Sequence, residues 1–429
     1  MDSNSSIIPS VVINLIALSH SSDLVIGLEG QGIGFYNDLM LIFAIKVDEK
    51  QGKIVCDSLN QNTQELRGKI TSFIEKYKSI NPRINKLGDY FKKLEEGERF
   101  FVIPSTCSLP FDVYEKLFNY LVSLRDGIPY EAVIEQTSSL FGDLRELYDM
   151  KAYGNIPVSI GEPDKTKRVC RFCGKDASKT TFKTKAHTIS KSLGNNLIVT
   201  NDECDICNNN FGKNVESDFA EYVGVFRSIM GMRGYNGIPH IKGDNFDIKQ
   251  EDGQVKLNFI ASTEEEEKMP VENMHLPLNS KQKIRLQNVY RSIVKYALSV
   301  LDASEMSHFT DTIEWIFQKM RIDKLPKVAM LEVPSFYNQQ PQIIVYRRKN
   351  DDKRLPYLVV EFHFAHLVFV AIVPKTDMDA IDFMNENEYQ YFWKTFKHFS
   401  SNTGWQFKDF SSDIDDTFIT NLNIVQRTK

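Results

Sequence analysis

Four cysteines of this chain come as two close pairs, Cys170/Cys173 and Cys204/Cys207, with 30 residues between the pairs. A CxxC step places two thiolates close enough to share one ion. Two such steps make the four-thiolate set of a tetrahedral structural Zn2+ site, which leaves no open position for water. The alternative, ordinary buried thiols, needs four of six cysteines to pair this way by chance. Six cysteines in 429 residues are too sparse for a disulfide framework, and Cys56 and Cys107 stand alone. Between and just after the knuckles lie His187, Asn195, Asn196 and Asn208. Hydrolysis of a phosphodiester needs a base to take a proton from water, and imidazole, with an ordinary pKa near ~6.5, suits that task. It also needs charge stabilisation at the phosphate, and the amide oxygen of Asn208 is a hard donor of the kind Mg2+ or Mn2+ accepts.

Residues 170–216, CRFCGKDASKTTFKTKAHTISKSLGNNLIVTNDECDICNNNFGKNVE, resemble the HNH endonucleases with a ββα-metal core. The likeness is to the zinc-stapled branch, in which CxxC is followed by His, then Asn, then CxxCN. His187 stands in AHTIS, Asn196 in GNNL, and Asn208 directly after Cys207. Similarity to a group of bacterial proteins continues through FGKNVESDFAEY into FRSIMGMRGYNGIP. The resemblance implies that His187 ends or follows the first strand and acts as general base. It assigns the orientation of the imidazole to the central Asn, here Asn196 or its neighbour Asn195, and binding of the catalytic metal to Asn208 at the start of the helix. It further implies double-stranded DNA as substrate, approached toward the minor groove through backbone contacts, and a role in anti-phage defence or restriction.

Many members of that branch carry Asp or Glu immediately before the His, where this chain has Ala186. Candidate replacements as metal ligands are Asp202, Glu203, Asp205 and, foremost, Glu216, which falls eight residues after Asn208 and so near the same face of a continuous helix. Each could equally be a solvated carboxylate favoured by a helix dipole. Ala186 also keeps open a second reading, a zinc-stabilised nucleic-acid-binding protein without catalysis.

Charge is distributed to suit a polyanion. Residues 165–191 hold nine basic side chains (Lys165, Lys167, Arg168, Arg171, Lys175, Lys179, Lys183, Lys185, Lys191) against Asp176 alone, a balance of +8 in a chain of net charge −5. A local basic patch can hold nucleic acid while the rest of the molecule stays acidic; an exposed lysine-rich loop is the plainer alternative. Lys183, Lys185, Lys191 and, further on, Arg227 are the expected phosphate contacts, with Arg233 in support and Gly231, Gly234 and Gly237 allowing close backbone approach.

The elements that must position these residues are expected in an α+β, multidomain chain. Its central ββα-metal element (161–245), stapled by the four-cysteine zinc site, is flanked by mixed α/β regions, 1–160 and 246–429. With 29 Phe, 17 Tyr and 3 Trp the chain is not of a disordered class. Strand-like runs fall at 24–26, 39–47, 100–103, 342–347 and 357–373; helical spacing falls at 65–78, 111–125, 130–153 and 280–301, the last with Ser280 as N-cap. The glycine-rich stretch 27–34 fits no phosphate-loop spacing and reads as a turn between strands. The apolar run 357–374 contains Glu361, His363 and His366 and suits strands rather than a membrane helix; in a strand 361 and 363 share one face and 366 takes the other, an arrangement for packing rather than metal. The N-terminus lacks a basic n-region, so no signal peptide is expected, and the reduced thiols suit a cytoplasmic protein. The flanks leave room for a homo-oligomer contact or a regulatory ligand.

Overall fold

The structure, a computed structural model, describes residues 10–19, 21–27, 32–48, 53–79, 84–105, 109, 111–154, 157–251, 253–261, 273–333 and 338–425. Two compact units divide the chain, Met1–Leu140 and Phe141–Lys429. Among the described residues, no helix is long and apolar enough to cross a membrane.

The first unit is built on a four-stranded antiparallel sheet in the order Ser21–Gly27, Ser10–Ala17, Arg99–Ser105, Leu59–Gln61. Ile13, Leu15 and Phe100 on its strands meet Leu39, Ile70 and Leu87 from helices Gly32–Ile42, Gln64–Tyr77 and Asn85–Lys93 in one apolar cluster. Thr63 caps the second of these helices by accepting from Leu66 N at 3.2 Å. The run at 39–47, expected as one strand, splits: its first half belongs to the helix ending at Ile42, and the strand is Ala44–Asp48. The glycine-rich stretch joins strand to helix rather than strand to strand, and residues 28–31 of it lie outside the described residues. Cys107 does too, whereas Cys56 donates its thiol to Met40 O.

The second unit centres on a six-stranded antiparallel sheet, ordered Gln406–Lys408, Val328–Glu332, Leu367–Ile372, Leu358–Ala365, Asn338–Arg348, Tyr148–Tyr153. Alternation gives it two apolar faces. Val360, Phe362, Phe364 and Phe369 point to one side, where they join Cys204, Phe211, Phe219, Ile293 and Tyr296 in a single core. Val359, Val368 and Val370 point to the other and meet Phe392, Trp393 and Phe396. A sequence boundary at 245/246 therefore runs through continuous packing. The expected helix at 130–153 stops at Phe141, beyond which Gly142 takes a positive φ of 54°, and 148–153 becomes the edge strand paired with Asn338–Arg348.

One helix, Leu286–Val300, called here the spine, lies between this sheet and the segment with the paired cysteines; all but its first residue are buried. It begins later than the sequence suggests. Ser280 is no N-cap: its hydroxyl accepts from Phe418 N at 2.8 Å and donates to Gln282 O. Glu361 and His363 do share a face, hydrogen-bonded to each other at 2.6 Å with Tyr346 also on Glu361, while His366 packs edge-on against Phe226.

Candidate active site on a zinc-stapled hairpin

The four cysteines converge. Sγ of Cys170 lies 3.7 Å from that of Cys207, Cys173 lies 3.8 Å from Cys204, and all four fall within 4.8 Å of one another. A tetrahedral zinc with Zn–S of ~2.3 Å has sulfur–sulfur edges of about 3.8 Å, so the donor set fits Zn2+ in number, softness and spacing. Cys204 N donates to Cys170 Sγ at 3.4 Å, which supports a thiolate there. The second knuckle opens the helix Asp205–Asn214, whose Phe211 packs edge-on against Phe172 of the first knuckle.

Between the knuckles runs a short hairpin. Ala186–His187 pairs antiparallel with Ile198–Thr200, His187 opposite Val199, and Val158–Ile160 adds a parallel strand outside. Thr188 and Thr200 join hydroxyls at 2.7 Å beneath it. Two strands and the helix at Asp205 form the ββα element, and His187 stands at the end of its first strand. Its imidazole is half-buried, with Nδ1 enclosed and without a hydrogen-bond partner among the described residues. Burial, joined by the charges of Lys191, Lys185 and Lys295, lowers its pKa to about 4, so at neutral pH it is the free base.

The two asparagines part company. Asn195 is buried and donates to Ile189 O and Ile198 O while accepting from Leu197 N and Ile198 N, which fixes the turn of the hairpin. Asn196, the expected orienting residue, is exposed and its amide donates to Gly194 O. Among the described residues no hydrogen bond joins either amide to the imidazole, and Asn195 is the one that braces the hairpin backbone. Asn208 lies in the first turn of the knuckle helix, half-buried.

Each of the four candidate carboxylates already has a protein neighbour of its own. Asp202 is held bidentately by Arg171 at 2.8 and 3.0 Å. Asp205 accepts from Lys183 N, Thr184 N and the Thr181 hydroxyl, clamping the approach to the hairpin. Glu203 and Glu216 both lie against Lys295 Nζ, at 3.2 and 3.1 Å. The helix expected to carry Asn208 and Glu216 on one face is broken at Val215 (φ −129°, ψ −60°), and Glu216 starts a separate helix, Glu216–Tyr222. Burial pushes the Glu203 carboxyl up to about 7, against the pull of Lys295 and with a further push from Glu216.

The basic surface survives in a reduced form. All seven lysines between 165 and 191 are exposed, including Lys183, Lys185 and Lys191. Arg168 instead donates to Glu162 O and Pro163 O, and Arg171 is internal. Arg227 is also buried, beneath the chain at Gly234, and is not a surface phosphate contact. Gly234 is needed for a protein contact, because a Cβ there would stand 2.3 Å from Ser192 O. The turn it opens closes on Gly237 and projects Tyr235, 77% exposed, with the Lys191 ammonium 5.1 Å from its ring.

Residues 170–222 match the family model of HNH endonucleases. No curated protein and no solved structure matches the chain. The HNH match spans both knuckles, the hairpin, the knuckle helix and the helix of Glu216, and it stops well short of the spine. Lys295 and Tyr235 stand beside the hairpin without having been singled out by the sequence. Lys295 reads there as one polar position in an amphipathic helix, and Tyr235 carries no motif at all.

Proposed function

We propose that the protein is a metal-dependent endonuclease that cleaves double-stranded DNA, with His187 as general base. The observation that carries this reading is a neutral, half-buried imidazole at the end of the first strand of a ββα element, on a hairpin held by a four-thiolate site and surrounded by exposed lysines. His187 takes the proton of the attacking water; its low pKa keeps it unprotonated for that step. Asn195 sets the hairpin that presents it. Lys183, Lys185 and Lys191 hold the phosphate backbone, and Tyr235 lies flat against a sugar or base at the edge of the same surface. A divalent ion, Mg2+ or Mn2+, held through Asn208 and the phosphate itself would screen the charge that develops on the scissile group. The family of the HNH segment and its setting in a larger chain support a role in bacterial defence against foreign DNA, in the cytoplasm.

The second reading, a zinc-stabilised DNA-binding protein without catalysis, is favoured by Ala186 and by the engagement of all four nearby carboxylates. Supercoiled plasmid incubated with the full chain separates the two. Nicking or linearisation with Mg2+ or Mn2+, abolished by chelation of the added ion, is the expected outcome; a gel shift with the plasmid left intact under every metal condition means the binding-only protein.

A further inference from the structure

The spine helix reaches the HNH segment along its whole length. Asn288 donates to Asn214 O at 3.0 Å and to Asp218 at 2.7 Å, Ser292 to Val215 O at 3.3 Å, and Arg171 of the first knuckle donates back to the helix carbonyls of Leu298 and Ser299 and to Leu301 O. In the middle stands Lys295, whose side chain is only 1% exposed. Its ammonium lies 3.2 Å from Glu203 and 3.1 Å from Glu216. Nζ also donates to two backbone carbonyls, Thr188 O at 3.2 Å and His187 O at 3.5 Å. Burying an ammonium is costly, and a pair of carboxylates alone would justify it only as an ion pair. Here the same ammonium pairs with Glu203 and Glu216 and reaches the carbonyls of the strand that carries His187.

We infer that Lys295 is a positioning residue of the nuclease: from a helix outside the family match, it ties the backbone of His187 and Thr188 to the spine and thereby fixes where the imidazole stands. This rests on the nuclease reading above. A strand of two paired residues has little ladder of its own to hold a side chain in place, and displacing a catalytic group by about 1 Å can cost about 100-fold in rate. The nuclease is then assembled by two parts of the chain that are remote in sequence, and its geometry follows the packing of the C-terminal sheet on the spine.

The test uses the full chain. Lys295→Met alone would strand two buried carboxylates, so it is made together with Glu203→Gln and Glu216→Gln, beside Lys295→Arg. Zinc content and hydrogen exchange of peptides covering 183–200 and 204–214 are read along with cleavage kinetics. Expected for the triple variant are retained zinc, exchange accelerated over 183–200 but not over 204–214, and kcat lowered about 100-fold at nearly constant KM, with Lys295→Arg recovering most of the rate. Wild-type kcat in the triple variant, or exchange accelerated equally in both peptides, overturns the proposal. Wild-type protein that does not cleave at all overturns the nuclease reading instead, and the exchange comparison still decides whether Lys295 anchors the hairpin.

Discussion

At the scale of single residues, the site is organised by what burial does to charge. His187 is kept neutral by its surroundings, and the sign of that shift sets a pH prediction. A base with pKa about 4 loses its free form only as pH falls toward 4, so kcat/KM at pH 5.5 should stay within about twofold of its value at pH 7. An imidazole of ordinary pKa would be about 90% protonated at pH 5.5 and lose about tenfold; a pH–rate profile distinguishes the two. The lysines act differently, as exposed point charges. Replacing Lys183, Lys185 and Lys191 with Gln should lower the slope of log affinity against log salt by about 0.9 for each phosphate no longer neutralised, with little change in thermal stability. Titration of DNA at several salt concentrations measures it, and an unchanged slope would show that these side chains do not touch the backbone.

At the scale of elements, the hairpin, the knuckle helix and the spine form one assembly. Arg171 joins two of them, with one edge on Asp202 and one nitrogen on the last carbonyls of the spine. Both charges are buried, so Arg171→Ala should destabilise the unit by about 3–5 kcal/mol, read by urea unfolding; a loss below about 1 kcal/mol would mean the joint carries no weight. The knuckles and the order of the hairpin were legible in the sequence because CxxC spacing and AHTIS carry local geometry. Lys295 was not, because its partners are more than 70 residues away and a buried lysine in an amphipathic helix looks like any other polar position. Arg171, within the basic run, and Arg227, beyond it, misled for the same reason: a charged side chain reads as surface until its burial is known. Of the neighbours Asn195 and Asn196 it is Asn195 that faces inward, and no periodicity in a tight turn decides that. Glu216 was expected on the same helix face as Asn208, and a single break at Val215 puts it on a separate helix.

At the scale of the molecule, residues 141–429 form one compact unit, and the HNH segment shares its largest apolar cluster with the spine and one face of the six-stranded sheet. A fragment of 161–245 exposes Phe211, Phe219 and Val223, all buried in the shared core, and loses the spine. Expressed alone it should lack cooperative unfolding, whereas 141–429 should fold and hold zinc; circular dichroism and zinc analysis of the two fragments check this, and an active, folded 161–245 would refute the shared core. On the proposed function, this assembly presents His187 to a phosphodiester. Single-turnover cleavage of duplex DNA by zinc-loaded full chain and by zinc-loaded His187→Ala, each with Mn2+, measures it most directly. Expected are cleavage by wild type and a loss of at least about 100-fold in the variant, with DNA affinity and zinc content unchanged; equal rates in the two proteins would rule out His187 as the base.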